Sequence, residues 1–298
     1  MSAAELRLEL HVAHVDHQWR DDSCEDAAAV ARLAERLQLP FHLHSVKADD
    51  VSSLPPHTEA AARDARRRYL GELSRELSAA WVAVGHTRDD QVETVLHRVL
   101  RGTGVAGLSG IRPVSRLSAN TQLVRPLLDC RREEVEAYLR SIGVDWCVDD
   151  TNRDGRFTRN RIRHDLLPEL RDKFNPQVDA ALERLAAQAA AIYDWLAGAA
   201  GEGLRQAIIE CQPNSVTLDA TTLRAQPVVV VSEMLRLLWR RQAWPEQAMG
   251  SGHWDKLTAM AQQTTRSTHS LPGGMTAECS RDRLLITARQ PSETETPL

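Results

Sequence analysis

His86, Asp89 and Asp90 fall close together in the stretch WVAVGHTRDDQVET, residues 81–94. An imidazole exchanges protons near neutral pH, and carboxylates side by side can hold a cation or an ammonium group. The run Trp81-Val82-Ala83-Val84 ends at Gly85 and reads as a short buried strand. Thr87 suits an N-cap with Asp90 three residues on, and Val92, Val95, Leu96 and Val99 follow at helical spacing, so a helix starts at about Arg88. The three polar side chains therefore stand at the carboxyl end of a strand, where open α/β sheets form their ligand crevice. A plainer reading has Asp89 and Asp90 only favouring the helix N-terminus, and these residues alone leave both readings open.

Other clusters carry weaker signals. His14 and Asp16 stand at the end of an alternating run, Leu6, Leu8, Leu10 and Val12, that reads as the first visible strand. His14 and His17 do not make a metal pair there, because residues i and i+3 of a strand face opposite ways. In Arg101-Gly102-Thr103-Gly104 the glycines allow positive φ; the turn either offers free backbone N–H groups to an anion or simply caps a helix. Arg63, Arg66, Arg67 and Arg68 lie on a helix from Thr58 to Leu77, as a solvated face or a phosphate contact. The stretch 149–164 interleaves five arginines with acids, as a basic loop against RNA with Phe157 available for stacking, or as an internal ion-pair network.

These residues need elements to position them. A helix carrying Val30, Leu33, Ala34 and Leu37 closes at Pro40, and Phe41 to Val46 reads as a strand, so strand and helix alternate three times up to residue 100. That alternation predicts an α/β, doubly wound parallel sheet. A further helix spans Arg131 to Ile142, a helical connector runs over 166–204, a small α+β domain over 205–290, and 291–298 reads as a disordered tail. The chain of 298 residues is 42% hydrophobic, enough for a sizeable core, and no run is long enough to span a membrane. No signal peptide is visible in MSAAELRLEL, which makes a cytoplasmic protein the expectation. Five widely spaced cysteines without a CxxC pair support neither a disulfide framework nor a zinc or iron–sulfur site. A net charge of -4 does not advertise nucleic-acid binding, so any such role rests on local clusters.

Five motifs, HVAHVDHQWR (11–20), HTRDDQVET (86–94), RGTGVAGLSG (101–110), RPLL (125–128) and DDTNRDGRFTRNRIR (149–163), occur in one order and at one spacing. Together they resemble the bacterial tRNA(Ile)-lysidine synthetase family of the PP-loop ATP pyrophosphatase superfamily, from His11 to about Leu185 and more weakly to Ile286. The resemblance implies a ligase that uses ATP and Mg2+ to adenylate C2–O of the wobble cytidine in a tRNA(Ile) with a CAU anticodon. The amine of L-lysine then replaces AMP. It implies Asp90 as the leading catalytic candidate and tentative Mg2+ ligand, supported by His86 and Asp89. His14, Asp16 and Arg101 to Gly104 (Arg101, Gly102, Thr103, Gly104) would lie near the nucleotide. Asp149, Asp150, Asn152, Arg159, Asn160 and Arg163 would meet lysine or tRNA, and a homodimer is a candidate assembly.

One departure stands against these agreements. The family's SGGxDS phosphate loop is absent, and with it the βα unit that would place a central strand between those containing His14 and Trp81. The expectation is a shortened or misassigned start, leaving two strands that flank a gap of roughly twice the 4.8 Å strand spacing. A non-catalytic tRNA-binding remnant and another PP-loop tRNA-modifying enzyme are the competing readings. A thiolase, one such enzyme, would carry paired cysteines.

Overall fold

A computed structural model describes residues 8–18, 23–46, 58–144, 146 and 158–288, with Glu59 described by its backbone alone. The chain divides into two compact units, Met1–Ala186 and Ala187–Leu298. In the first, β1 (Val12–Asp16), α1 (Ser23–Arg36), β2 (Phe41–Ser45), α2 (Glu59–Glu76), β3 (Trp81–Ala83) and α3 (Arg88–Arg101) follow one another in strand–helix alternation. After them come α4 (Val105–Leu108), β4 (Val114–Arg116), β5 (Gln122–Val124), α5 (Arg132–Ser141) and α6 (Thr158–Arg161). A π-helical turn (Ile162–Leu166) leads into α7 (Leu167–Lys173), and α8 (Val178–Ala207) crosses the boundary between units.

The α/β class and its parallel pairing stand: β1 pairs in parallel with β2, Val12 opposite Phe41 and Asp16 opposite Ser45, and β3 pairs in parallel with β5. Two particulars differ from the sequence reading. Among the described residues the first strand is Val12–Asp16, with Leu8 and Leu10 outside it, because the ladder starts where Val12 N–H donates to the Pro40 carbonyl at 2.8 Å; Leu6 lies outside the described residues. Pro40 has no N–H to continue the ladder, and Leu8 and Leu10 lie exposed before it. The strands also do not form one sheet. Among the described residues β1 and β2 make a pair, and β3, β5 and β4 make a second sheet in which β4 runs antiparallel to β5. β1 and β3 do not pair, and α2 packs against both.

Local chemistry sets the elements that carry the polar residues. Thr58 caps α2 by accepting from Ala61 N–H at 3.2 Å. At the start of α3, the Thr87 N–H donates to Asp90 Oδ2 at 2.8 Å, the return half of a capping box. Beyond α4 the chain turns at Gly110, where φ is +64° and a Cβ would fall 2.4 Å from Gln91 Oε1. That oxygen accepts the Ile111 N–H at 2.5 Å, so only glycine admits both the backbone angle and the close approach.

The second unit holds a five-stranded antiparallel sheet ordered β6 (Ile208–Gln212), β7 (Ser215–Asp219), β10 (Arg283–Ala288), β9 (Met275–Cys279), β8 (Ser267–Leu271). Against it pack α9 (Ala220–Arg224), α10 (Val228–Arg241) and α11 (Ser251–Gln262). Trp239 at the centre meets Trp244 and Trp254 edge-on, at centroid distances of 4.9 and 5.3 Å. Among the described residues no helix is long and apolar enough to cross a membrane.

A two-stranded ladder is a weak arrangement by itself, since independent sheet stability needs three strands or a packed face. By amide hydrogen exchange, β1 and β2 are expected to exchange roughly tenfold or more faster than β7 and β10, the central pair of the five-stranded sheet. Equal protection would show that α1 and α2 stabilise the pair fully.

Candidate functional site

Asp90 opens α3 with both carboxylate oxygens engaged. Oδ2 accepts from the Thr87 N–H and hydroxyl at 2.8 and 2.9 Å. Oδ1 faces Arg159 at 2.9 Å, Arg163 at 3.5 Å and Arg132 at 3.8 Å. Burial alone would raise this carboxyl, but the Thr87 amide, Arg159, the Thr87 hydroxyl and Arg132 outweigh it and hold the pKa below the ordinary carboxylate value.

One turn further along α3 stands Glu93, its side chain only 2% exposed. Arg163 grips it through Nε at 2.5 Å and Nη2 at 2.9 Å, and Arg159 donates to it through Nε at 2.9 Å. The spacing explains the fit. Asp90 and Glu93 are three apart on one helical face, and Arg159 and Arg163 are four apart across the junction of α6 with the π-helical turn. Val92 and Leu96 of α3 also pack with Ile162 and Leu167, so apolar contact joins the same two segments that the ion pairs join.

His86 lies just before this cluster. Its Nδ1 is buried without a hydrogen-bond partner, and its pKa is lowered by burial and by Arg125, Arg159 and Arg63, against an opposing pull from Asp90. His86 is therefore neutral at pH 7. Asp89 forms a bridge between helices, its Oδ2 accepting the Arg132 N–H at 2.8 Å and so tying α3 to the first turn of α5.

The structure thus brings together His86, Asp89, Asp90, Arg159 and Arg163. It also adds Glu93 and Arg132, which the sequence reading did not single out. Glu93 sits in a helical run where an acid reads as solvated; the signal was the match of its i, i+3 spacing from Asp90 to the i, i+4 spacing of two arginines. Asp149, Asp150 and Asn152 lie outside the described residues, as do Arg153, Arg156 and Phe157. Asn160 sits half-buried between the two arginines on α6. On the separate β1–β2 sheet, Asp16 is buried and accepts the Gln18 N–H at 2.9 Å, while His14 pairs in register with Leu43. Arg101, Gly102, Thr103 and Gly104 are exposed, and the Gly102 N–H is taken by the Val99 carbonyl with φ at +74°, which is the capping arrangement.

The donor chemistry at Asp90 does not fit a cation. Mg2+ there would stand beside three guanidinium groups and displace them from the carboxylate. Among the described residues no group of three or more His, Cys, Asp or Glu is arranged to hold a metal.

The model of a PP-loop domain matches residues 1–170. The chain is 43% identical over 182 residues to the tRNA(Ile)-lysidine synthase of Gloeobacter violaceus, covering 61% of this chain and 54% of that one. It is 37% identical over 268 residues to the enzyme of the same name from Solibacter usitatus, covering 89% and 59%. To that of a Nostoc species it is 32% identical over 289 residues, covering 93% and 82%. The chain therefore spans little more than half of the first two relatives and most of the third.

Replacing one partner of a buried ion pair strands the others. Glu93→Gln is expected to lower the unfolding free energy by about 3 kcal/mol in urea denaturation, and to make the 158–166 segment more sensitive to proteolysis. A loss within about 0.5 kcal/mol, the range of an ordinary surface change, would mean that the network carries no stability.

Proposed function

The chain belongs to the PP-loop domain family and, within it, to the tRNA(Ile)-lysidine synthases, and from that membership we propose that it ligates L-lysine to C2 of the wobble cytidine of tRNA(Ile) using ATP. In this reading the C2 oxygen attacks the α-phosphorus of ATP and pyrophosphate leaves. The lysine ε-amine then attacks C2, the C2–O bond breaks, and AMP departs with the oxygen. Mg2+ enters as the counter-ion of the triphosphate, with no ligand assigned to it in this chain.

The observation that carries the proposal is the joining of two distant motifs in one ion-paired site, Asp90 and Glu93 of one with Arg159 and Arg163 of the other. Through these contacts α3 anchors the end of the 149–163 stretch, whose acids Asp149 and Asp150 are proposed to receive the lysine ammonium. Asp90 is here a positioning residue, because both its oxygens are already engaged. His86, an imidazole held toward its neutral form beside Asp90, is assigned the proton that the lysine ammonium must lose. Asp89 keeps α5 against the site. His14, Asp16 and residues 101–104 are assigned to the nucleotide side, on family resemblance alone. The CAU-anticodon tRNA is the proposed partner and the cytoplasm the proposed compartment.

The test is lysine incorporation into a CAU-anticodon tRNA(Ile) transcript, followed together with pyrophosphate release. The expected result is ATP-dependent lysidine formation, reduced roughly 100-fold by His86→Gln, with the loss smaller at high pH where free lysine is already deprotonated. Asp90→Asn is expected to raise KM for lysine as well as lower kcat, as befits a residue that positions others. Tight, salt-dependent tRNA binding without pyrophosphate release would overturn the catalytic reading in favour of a binding role.

A further inference from the structure

The chain that follows α3 returns along that helix, from its last turn to its first, and three side chains hold it there. Arg98, in the last turn of α3, donates from Nη1 to the Gly107 and Gly110 carbonyls, each at 2.8 Å. Gln91 stands seven residues earlier, about two turns back on the same helical face, and accepts the Ile111 N–H through Oε1 at 2.5 Å. Arg125, directly after β5, donates from Nη1 to the Arg112 carbonyl at 2.7 Å and to the Ser115 hydroxyl at 3.1 Å. Its backbone N–H donates to the Pro113 carbonyl at 3.0 Å. Residues 107–115 are thus held at successive points from three directions.

Arg98 is half-buried and Arg125 is buried, and the printed hydrogen bonds of both go to neutral oxygens of this segment. Hydrogen bonds from a charged donor are stronger than neutral ones, and losing one strands an acceptor; the Gly110 carbonyl belongs to a buried residue. The clamp also adjoins the ion-paired site. Gln91 directly follows Asp90 in α3. The Val84 N–H donates to the Val124 carbonyl at 3.0 Å, which carries the pairing of β3 with β5 to the ends of both strands. His86 follows Val84 by two residues and Arg125 follows Val124 by one, so both leave the sheet at the same end.

We propose that Gln91, Arg98 and Arg125 are positioning residues for the ligation, which together hold residues 107–115 as a fixed wall beside the strand end that carries His86 and Asp90. The two arginines then serve the protein's own backbone and not a substrate anion. A wall held in place only part of the time lowers the fraction of bound complexes that are arranged to react. Loosening the clamp therefore lowers kcat and leaves KM unchanged, because none of the three side chains touches a substrate. An arginine that bound ATP directly would instead raise KM for ATP when removed. This role rests on the ligase reading above, but the clamp itself can be measured without turnover.

Arg98→Met, Arg98→Lys and Gln91→Leu are compared in the full chain by amide hydrogen exchange over 107–111 and by lysidine formation at saturating tRNA(Ile). In Arg98→Met these amides are expected to exchange roughly tenfold faster, and kcat to fall about tenfold with KM for ATP and for lysine within about twofold. Arg98→Lys, whose ammonium can still donate to carbonyls, is expected to recover most of kcat. Gln91→Leu loses a single neutral hydrogen bond, so it is expected to show the same pattern at smaller size, and it carries the test if Arg98→Met does not fold. A rise of about tenfold in KM for ATP with kcat unchanged would overturn the proposal by making Arg98 a substrate ligand. So would faster exchange with kcat unchanged, and so would unaltered exchange in both Arg98→Met and Gln91→Leu. Faster exchange in the variants of a chain that forms no lysidine would support the clamp and count against the ligase reading.

Discussion

A buried carboxylate with two arginines on it governs the first unit. Glu93 at 2% exposure would be costly as a lone charge, and it is tolerated only because Arg159 and Arg163 enclose it and share Asp90. The consequence is positional. α3 begins at the end of β3, so whatever holds α3 to the 158–166 segment also fixes that segment at the carboxyl end of the strand. The apolar contacts of Val92 and Leu96 with Ile162 and Leu167 act along the same line, and Asp89 extends it to α5.

Around Asp90 and Glu93 the carboxylates and arginines neutralise one another and form a support that joins α3 to the 158–166 segment. The imidazole of His86, whose pKa burial lowers, adjoins Asp90 at the start of that support.

Much of this was legible in the residues and some was not. Thr87 with Asp90 announced the start of α3, and the arginine-rich stretch admitted the ion-pair network that its end turned out to form. Glu93 escaped because period alone cannot tell a buried acid from a solvated one; only a partner some seventy residues away decides it. The alternation of strands and helices gave the α/β class, but not the split into two sheets. β5 is only three residues long, and its pairing with β3 is a long-range choice that no local pattern records. Arg125 carried no local mark of burial either, since nothing in RPLL shows that the arginine is enclosed while its Nε lacks an acceptor.

Glu93 and Arg163 must act as one unit if the network positions the site, and a double-mutant cycle measures that coupling directly. With Glu93→Gln, Arg163→Met and the double variant compared by urea denaturation, the double variant should be more stable than the sum of the single losses allows, by about 2 kcal/mol. Additivity within about 0.5 kcal/mol would contradict it, and would reduce the network to a set of contacts that happen to lie together.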